Sequence, residues 1–175
     1  PNGPDEALGE MRTTLIGVLS CARTEVTILT PYFLPDDALS EAWNVAALRG
    51  VKVNIILPQA NNLALVKWAS TAMLWQVLQR GCRVWLSAPP FDHTKIFVVD
   101  DCRALVGSTN WGPRSLRLNF KFNIECYDLT LARKLAGRFE ELRRHARPVT
   151  LAEVDARSMV VRLRDGAARL FTPFL

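Results

Sequence analysis

The chain has 175 residues, 49% apolar and 22% charged, which fits one domain with at most a short appendage and excludes a disordered tail, a coiled coil or a fibrous repeat. Residues 1–130 hold 12 Lys/Arg and 12 Asp/Glu while residues 131–175 hold 10 and 5, so the net +5 lies in the last quarter. That quarter suits an anionic surface, nucleic acid or acidic lipid, or is simply a solvated arginine-rich helix face.

Four cysteines (Cys21, Cys82, Cys102, Cys126) without a Cys-x-x-Cys pair read as reduced, mostly buried thiols rather than a zinc or disulfide framework. No apolar run reaches about 18 residues, so membrane contact is expected to be peripheral. The opening Pro1-Asn2-Gly3-Pro4 has neither Met nor a signal peptide and reads as the start of an excised piece.

In chain order, Leu8, Met11, Leu15, Ile16 and Leu19 recur at three and four and predict an amphipathic helix over 5–22. Residues 25–30 alternate and are β-branched, a strand that Pro31 ends. Pro35-Asp36-Asp37 opens a helix over 36–48 that Gly50 closes. Residues 51–57 form an apolar strand stopped by Pro58, and 63–78 a helix ended by Gly81. Strands follow over 83–87, 94–99, 104–106 and 119–127, with a turn at Asp100-Asp101, then helices over 130–145 and 151–164. Strands alternating with helices predict an α/β/α sandwich with a mixed, mainly parallel sheet. Pro148 and a Thr150 cap divide a lobe over 1–148 from a basic, apolar-ended appendage over 149–175.

The helix over 63–78 is apolar all round, which predicts burial between the sheet and a further part of the protein, or an interfacial surface with Trp68 or Trp75 at head-group depth. The closing 170–175, behind Arg157, Arg162, Arg164 and Arg169, poses the same choice.

Only two histidines are present, and His145 closes a basic helix end where cations suit the dipole. His93 and Lys95 are two apart on a strand, so both side chains leave one face. A structural role remains open, with Lys95 reaching solvent and His93 satisfying a core hydrogen bond. Beyond Asp100, a hairpin returns Gly107-Ser108-Thr109-Asn110 beside His93. Gly107 allows close backbone approach to an oxyanion, and Ser108, Asn110 and Lys95 are donors suited to phosphate oxygens. An imidazole among such donors can attack phosphorus or protonate a leaving oxygen without a metal or other cofactor. No Gly-x-Ser-x-Gly elbow, P-loop, dinucleotide glycine pattern or clustered acids point elsewhere.

His93, Lys95, Asp100, Gly107, Ser108 and Asn110 fill His-x-Lys-x4-Asp-x6-Gly-Ser-x-Asn, which resembles the HKD signature of the phospholipase D superfamily. The flanks 30–35, 49–53, 98–101, 113–120 and 147–150 resemble one branch, the second half of bacterial cardiolipin synthases. The chain departs from that branch at Trp111-Gly112, at Asn61 or Asn62, and at Ser70-Thr71-Ala72-Met73.

The resemblance implies that His93 is one of two active-site histidines, one forming a phosphohistidine and the other acting as acid and base. It implies that Lys95, Gly107, Ser108 and Asn110 bind the phosphodiester, that Glu125 orients an imidazole, and that Asp100 is structural. The implied reaction is phosphatidyl transfer between two phosphatidylglycerols with release of glycerol. The implied partners are anionic phospholipid, a membrane surface at the cytoplasmic face of the bacterial inner membrane, and a second HKD lobe. Two alternatives stand beside it: a homodimeric phosphodiesterase or endonuclease acting on nucleic acid, and an isolated lobe that is inactive as a monomer.

Overall fold

The structure, a computed structural model, describes residues 10–110, 112 and 122–174. The flank over 113–120, the start of the strand expected from 119, Trp111, Leu8 and the Pro1-Asn2-Gly3-Pro4 opening lie outside these residues.

Helix α1 (Glu10–Cys21) leads into β1 (Glu25–Leu29), α2 (Asp37–Leu48), β2 (Lys52–Pro58), α3 (Ala64–Leu78) and β3 (Arg83–Ser87). Then come β4 (Ile96–Val99), β5 (Arg103–Gly107) and β6 (Asn123–Cys126). Helix α4 (Leu129–His145), β7 (Arg147–Val149), α5 (Leu151–Asp155), α6 (Met159–Leu170) and a 3-10 turn (Thr172–Phe174) complete the chain.

Local chemistry sets these boundaries. The Asp36 side chain accepts from Leu39 N at 2.9 Å and caps α2, as Asp128 caps α4 from Leu131 N at 2.7 Å. Gly50, at φ 88, ends α2 in the left-handed region that side chains avoid.

The seven strands form one mixed sheet in the order β6-β5-β4-β1-β2-β3-β7. The α/β class with a mixed sheet is the expected one, and its parallel part is confined to β1–β2–β3. Helices α2 and α3 make the crossovers between these three strands, and α4 carries the chain from β6 at one edge of the sheet to β7 at the other. After β3 the chain pairs antiparallel throughout, β4 on β1, β5 on β4, β6 on β5 and β7 on β3.

One face buries Val26, Ile28, Val53, Ile55, Val84, Phe97 and Leu105 against α1, α2 and part of α3. There Trp43 of α2 is fully buried and meets Phe97 edge to face at 5.8 Å, a contact adding about 1 kcal/mol to its burial. The opposite face packs Leu29, Ile56, Val98 and Ala104 against Ala132 and Phe139 of α4.

The residues after 148 return to this body. Pro148 sits inside edge strand β7, opposite Trp85 of β3, where a missing N–H is tolerated. The single helix expected over 151–164 is two, because Thr150 caps α5 through Glu153 N and Ser158 caps a fresh α6 through Val161 N. Helix α6 packs along α3 with Ala168 in a cluster of Leu34, Val66, Ala69 and Met73. The all-round apolar α3 is thus covered in part by the chain's own tail. Trp68 lies under the Arg164 guanidinium, 4.6 Å from ring centre, while Trp75 is exposed. Beneath them Asp165 is buried between Arg157 and Arg164, at 2.6 and 2.7 Å. Among the described residues, no helix is long and apolar enough to cross a membrane.

Candidate active site

The site grows from the edge of the sheet where β1 ends, β4 begins and β5 ends. Leu29 pairs with Ile96, and Ile96 with Val106. One step further out, Gly107 N donates to Lys95 O at 3.3 Å and Gly107 faces Asn123 of β6. Lys95, Gly107 and Asn123 therefore form one row across three strands, so the hairpin brings Gly107 back beside Lys95.

Lys95 is buried, and its ammonium does not reach bulk water through a strand end. Nζ donates to His93 O at 2.8 Å and lies 3.1 Å from Nδ1 and 3.3 Å from Nε2 of the same residue. His93 itself is exposed, and two rings flank it, Tyr32 edge-on at 5.8 Å and Phe91 at 5.9 Å. Tyr32 is fixed in turn by its hydroxyl, which donates to Asn62 Oδ1 at 2.8 Å. Motif spacing alone does not single out Tyr32, Phe91 or Asn62. The only signal for Tyr32 is the 30–35 flank.

Gly107 stands where no side chain fits, since a Cβ there would fall on Asn123 Oδ1 and 2.5 Å from Phe122 O. Asn123, a residue without a motif, also donates to Thr109 Oγ1 at 2.6 Å and so shapes the loop after Gly107. Ser108 is exposed, with its N–H on Phe122 O at 2.9 Å and its hydroxyl accepting from Phe122 N at 3.1 Å. Asn110 is half-buried, its side-chain oxygen sealed from solvent.

Asp100 lies at the far end of β4 from His93. Its Oδ1 accepts Thr24 N, Thr24 Oγ1 and Glu25 N at 2.8, 2.8 and 3.0 Å, and Oδ2 accepts Arg23 N at 2.9 Å. Partial burial pushes this carboxyl up, but the hydrogen bonds from Glu25, Thr24 and Arg23 outweigh it and hold it below the usual range. Glu125 stands opposite Leu105 on β6, one row inward from Asn123 on the face that carries Lys95. Its Oε1 takes both Nε and Nη2 of Arg103, whose guanidinium also covers Tyr127 at 4.9 Å. His145, at the exposed end of α4, lines with His93, Arg138 and Leu142 a half-open cavity of about 580 Å³.

A cationic donor against an imidazole, at a glycine-lined strand edge, is chemically able to receive an oxyanion. The family model described as cardiolipin synthase, PLD-like domain matches residues 15–143. The chain is 37% identical over 174 residues to the major cardiolipin synthase ClsA of Bacillus subtilis, covering 99% of this chain and 36% of that protein. A cardiolipin synthase of Staphylococcus aureus is 33% identical over the same length, of which the chain covers 35%. The chain thus spans about a third of the length of the curated relatives it matches. Among solved structures, phosphatidylserine synthase of Haemophilus influenzae superposes with a TM-score of 0.76 at 18% identity, over 95% of this chain and 45% of that one. Nuc of Salmonella typhimurium, a phospholipase D family member, gives 0.69 at 18% identity, over 83% and 94%. At these identities the two structures speak for the fold, whereas the sequence match fixes the family: the chain belongs to the cardiolipin synthase, PLD-like domain family of the phospholipase D superfamily.

Proposed function

We propose that the chain is one half-site of a phosphatidyltransferase that makes cardiolipin. The observation that carries this reading is the buried Lys95 ammonium held against His93 in the row that contains Gly107. A ring nitrogen of one active-site histidine attacks phosphorus of phosphatidylglycerol, and the bond from phosphorus to the glycerol oxygen breaks. The second imidazole, from another lobe, protonates that oxygen. It then takes the proton of a hydroxyl on a second phosphatidylglycerol as that oxygen attacks phosphorus and displaces the histidine. Cardiolipin and glycerol leave, with no cofactor consumed.

Lys95 and the donors of Ser108 and Asn110 would neutralise the two non-bridging oxygens. The Ser108 hydroxyl lies 3.4 Å from Phe122 O, a bond weak enough to exchange for a phosphate oxygen. Both Arg103 donors land on one oxygen of Glu125, which supports an orienting role for the other toward an imidazole Nδ1–H. Asp100 acts at a distance, by fixing the hairpin. The outer face of α6, with Met159, Val160 and Leu163 exposed beside Arg162, supports peripheral contact with anionic lipid.

The test is to incubate the full-length protein with phosphatidylglycerol vesicles and resolve the lipids. Cardiolipin and glycerol should form and should be lost on His93→Ala with the melting transition retained. Phosphatidic acid without cardiolipin would make the protein a phospholipase. A second reading draws on the 94% coverage of Nuc by this fold: a homodimer in which each copy supplies one His93 and cleaves nucleic acid. Dimeric light scattering with metal-free nicking of plasmid DNA, abolished by His93→Ala, would select it. A monomer inert toward both substrates would leave the lobe as a non-catalytic piece.

A further inference from the structure

Helix α6 inverts the usual pattern of a surface helix, whose outward face is polar. Met159, Val160, Leu163 and Leu170 are between 66% and 78% exposed, and Ala167 is exposed with them. At about 100° per residue these five side chains share one arc of about 100°, and the buried Asp165 and Ala168 lie on the opposite side. The exposed Phe171 and Phe174 carry the apolar surface past the helix end into the 3-10 turn. A continuous apolar patch with a charged rim marks an interaction surface, unlike single exposed side chains.

The rim is cationic on both sides. Arg162 and Arg169 border the arc along one edge and Arg164 along the other. Asp165, the one acid of α6, is buried beneath the helix, where Arg157 and Arg164 hold it at 2.6 and 2.7 Å, so it presents no charge outward. Asp37, 3.9 Å from Arg169, and Asp155, in a small cavity with Arg162 and Arg169, stand beside that rim and not on the arc.

The helix is also held in place before anything binds it. It packs along α3 through Ala168, and the Arg164 guanidinium lies over Trp68. A pre-formed row of hydrocarbon between two cationic borders fits the boundary between acyl chains and anionic head groups. There the row enters hydrocarbon while arginine stems run beside it and their guanidinium heads reach phosphate. A second lobe that completes the site has to face His93 instead, and the cavity lined by His93 holds no residue of α6.

We infer that α6 and the turn after it lie in the plane of an anionic membrane, with Leu163, Leu170 and Phe171 among the acyl chains and Arg162, Arg164 and Arg169 at the lipid phosphates. The inference rests on the phosphatidyltransferase reading and deepens it, by naming the face on which the lobe meets the bilayer that holds its substrate.

The test reads depth at single positions of the full-length protein, so that any other membrane contact does not mask the result. With the other exposed cysteines replaced by serine, a nitrobenzoxadiazole probe is attached to Leu163→Cys, or to Phe171→Cys if the first variant does not fold. In vesicles of about one-third phosphatidylglycerol in phosphatidylcholine, emission should shift to the blue and be quenched by a spin label on the acyl chains. The same probe on Lys134→Cys, at an exposed position of α4, should stay unquenched. Phosphatidylcholine alone should give at most about a fifth of the quenching, and Arg162→Glu should lower it toward that value. Quenching at 163 no greater than at 134, or equal in neutral vesicles, would overturn the inference. So would a probe at 163 already blue-shifted without lipid, which would mark α6 as covered by another part of the protein. Depth needs no turnover: a quenched probe in a protein that makes no cardiolipin would sink the transferase reading alone, and cardiolipin synthesis with an unquenched probe would sink the inference alone.

Discussion

Asp100 offers the most direct test of how the hairpin bearing the site is held. Replacing it with alanine strands four donors, the N–H groups of Arg23, Thr24 and Glu25 and the Thr24 hydroxyl. Hydrogen bonds to a charged group contribute about 1.5–3 kcal/mol each when shielded. Arg23 and Thr24 are exposed, so water recovers much of this and the expected sum is about 2 kcal/mol. The backbone adds to it, because φ at Asp100 is 50° and a left-handed alanine costs roughly a further 1 kcal/mol. Asparagine separates these contributions. It keeps Oδ1 with its three donors and tolerates the left-handed region, but turns an NH2 toward Arg23 N. Its expected cost is about 1 kcal/mol, against about 3 for alanine.

Urea unfolding at pH 7 followed by circular dichroism reads both values. The pH dependence gives an independent check. The native carboxyl is held below its ordinary value of 3.8, so its stabilisation is present above that value and is lost as pH falls through the lower native one. Asp100→Asn should therefore lose less stability than the unaltered protein on acidification below about pH 4. Equal costs for alanine and asparagine, or both within about 0.5 kcal/mol of zero, would refute the capping account.

Gly107→Ala should cost about 2–3 kcal/mol and lower Tm by roughly 4–10 °C, because the methyl group meets Asn123 and the Phe122 carbonyl and β6 has to move; a melt unchanged within 1 °C would contradict that packing. Iodoacetamide at pH 8 should label the exposed Cys21 and Cys102 and spare Cys82, whose thiol burial pushes up to about 12. Labelling of Cys82 at the same rate in the folded protein would count against that burial.

The order of strands and helices up to β5 was legible because each element carries a local signature, such as the alternation at 25–30 or the Asp36 cap. The neighbourhood of Lys95 and Gly107 was legible for a similar reason: both belong to one hairpin, so spacing along the chain translates into neighbours in space. Where the relevant contact joins distant segments, spacing fails. Tyr32 reaches His93 across the sheet edge, Asn123 fills the space that Gly107 leaves, and Arg103 takes Glu125 through strand pairing. The tail carries its own contacts across distant segments. Pro148 has the chemistry of a separator, yet an edge strand accommodates it, and the basic composition of α6 hides a buried Asp165 that joins two arginines beneath it.

Because the row of Lys95, Gly107 and Asn123 is set by the ladder itself, the backbone positions from which these residues project follow the fixed separation of paired strands, about 4.8 Å. The surroundings are built differently: Pro31, Tyr32, Asn61, Phe91 and the α3 flank at Ser70 lie outside the strands and can change without disturbing the pairing. Such a division separates a frame fixed by strand pairing from a rim free to vary around it.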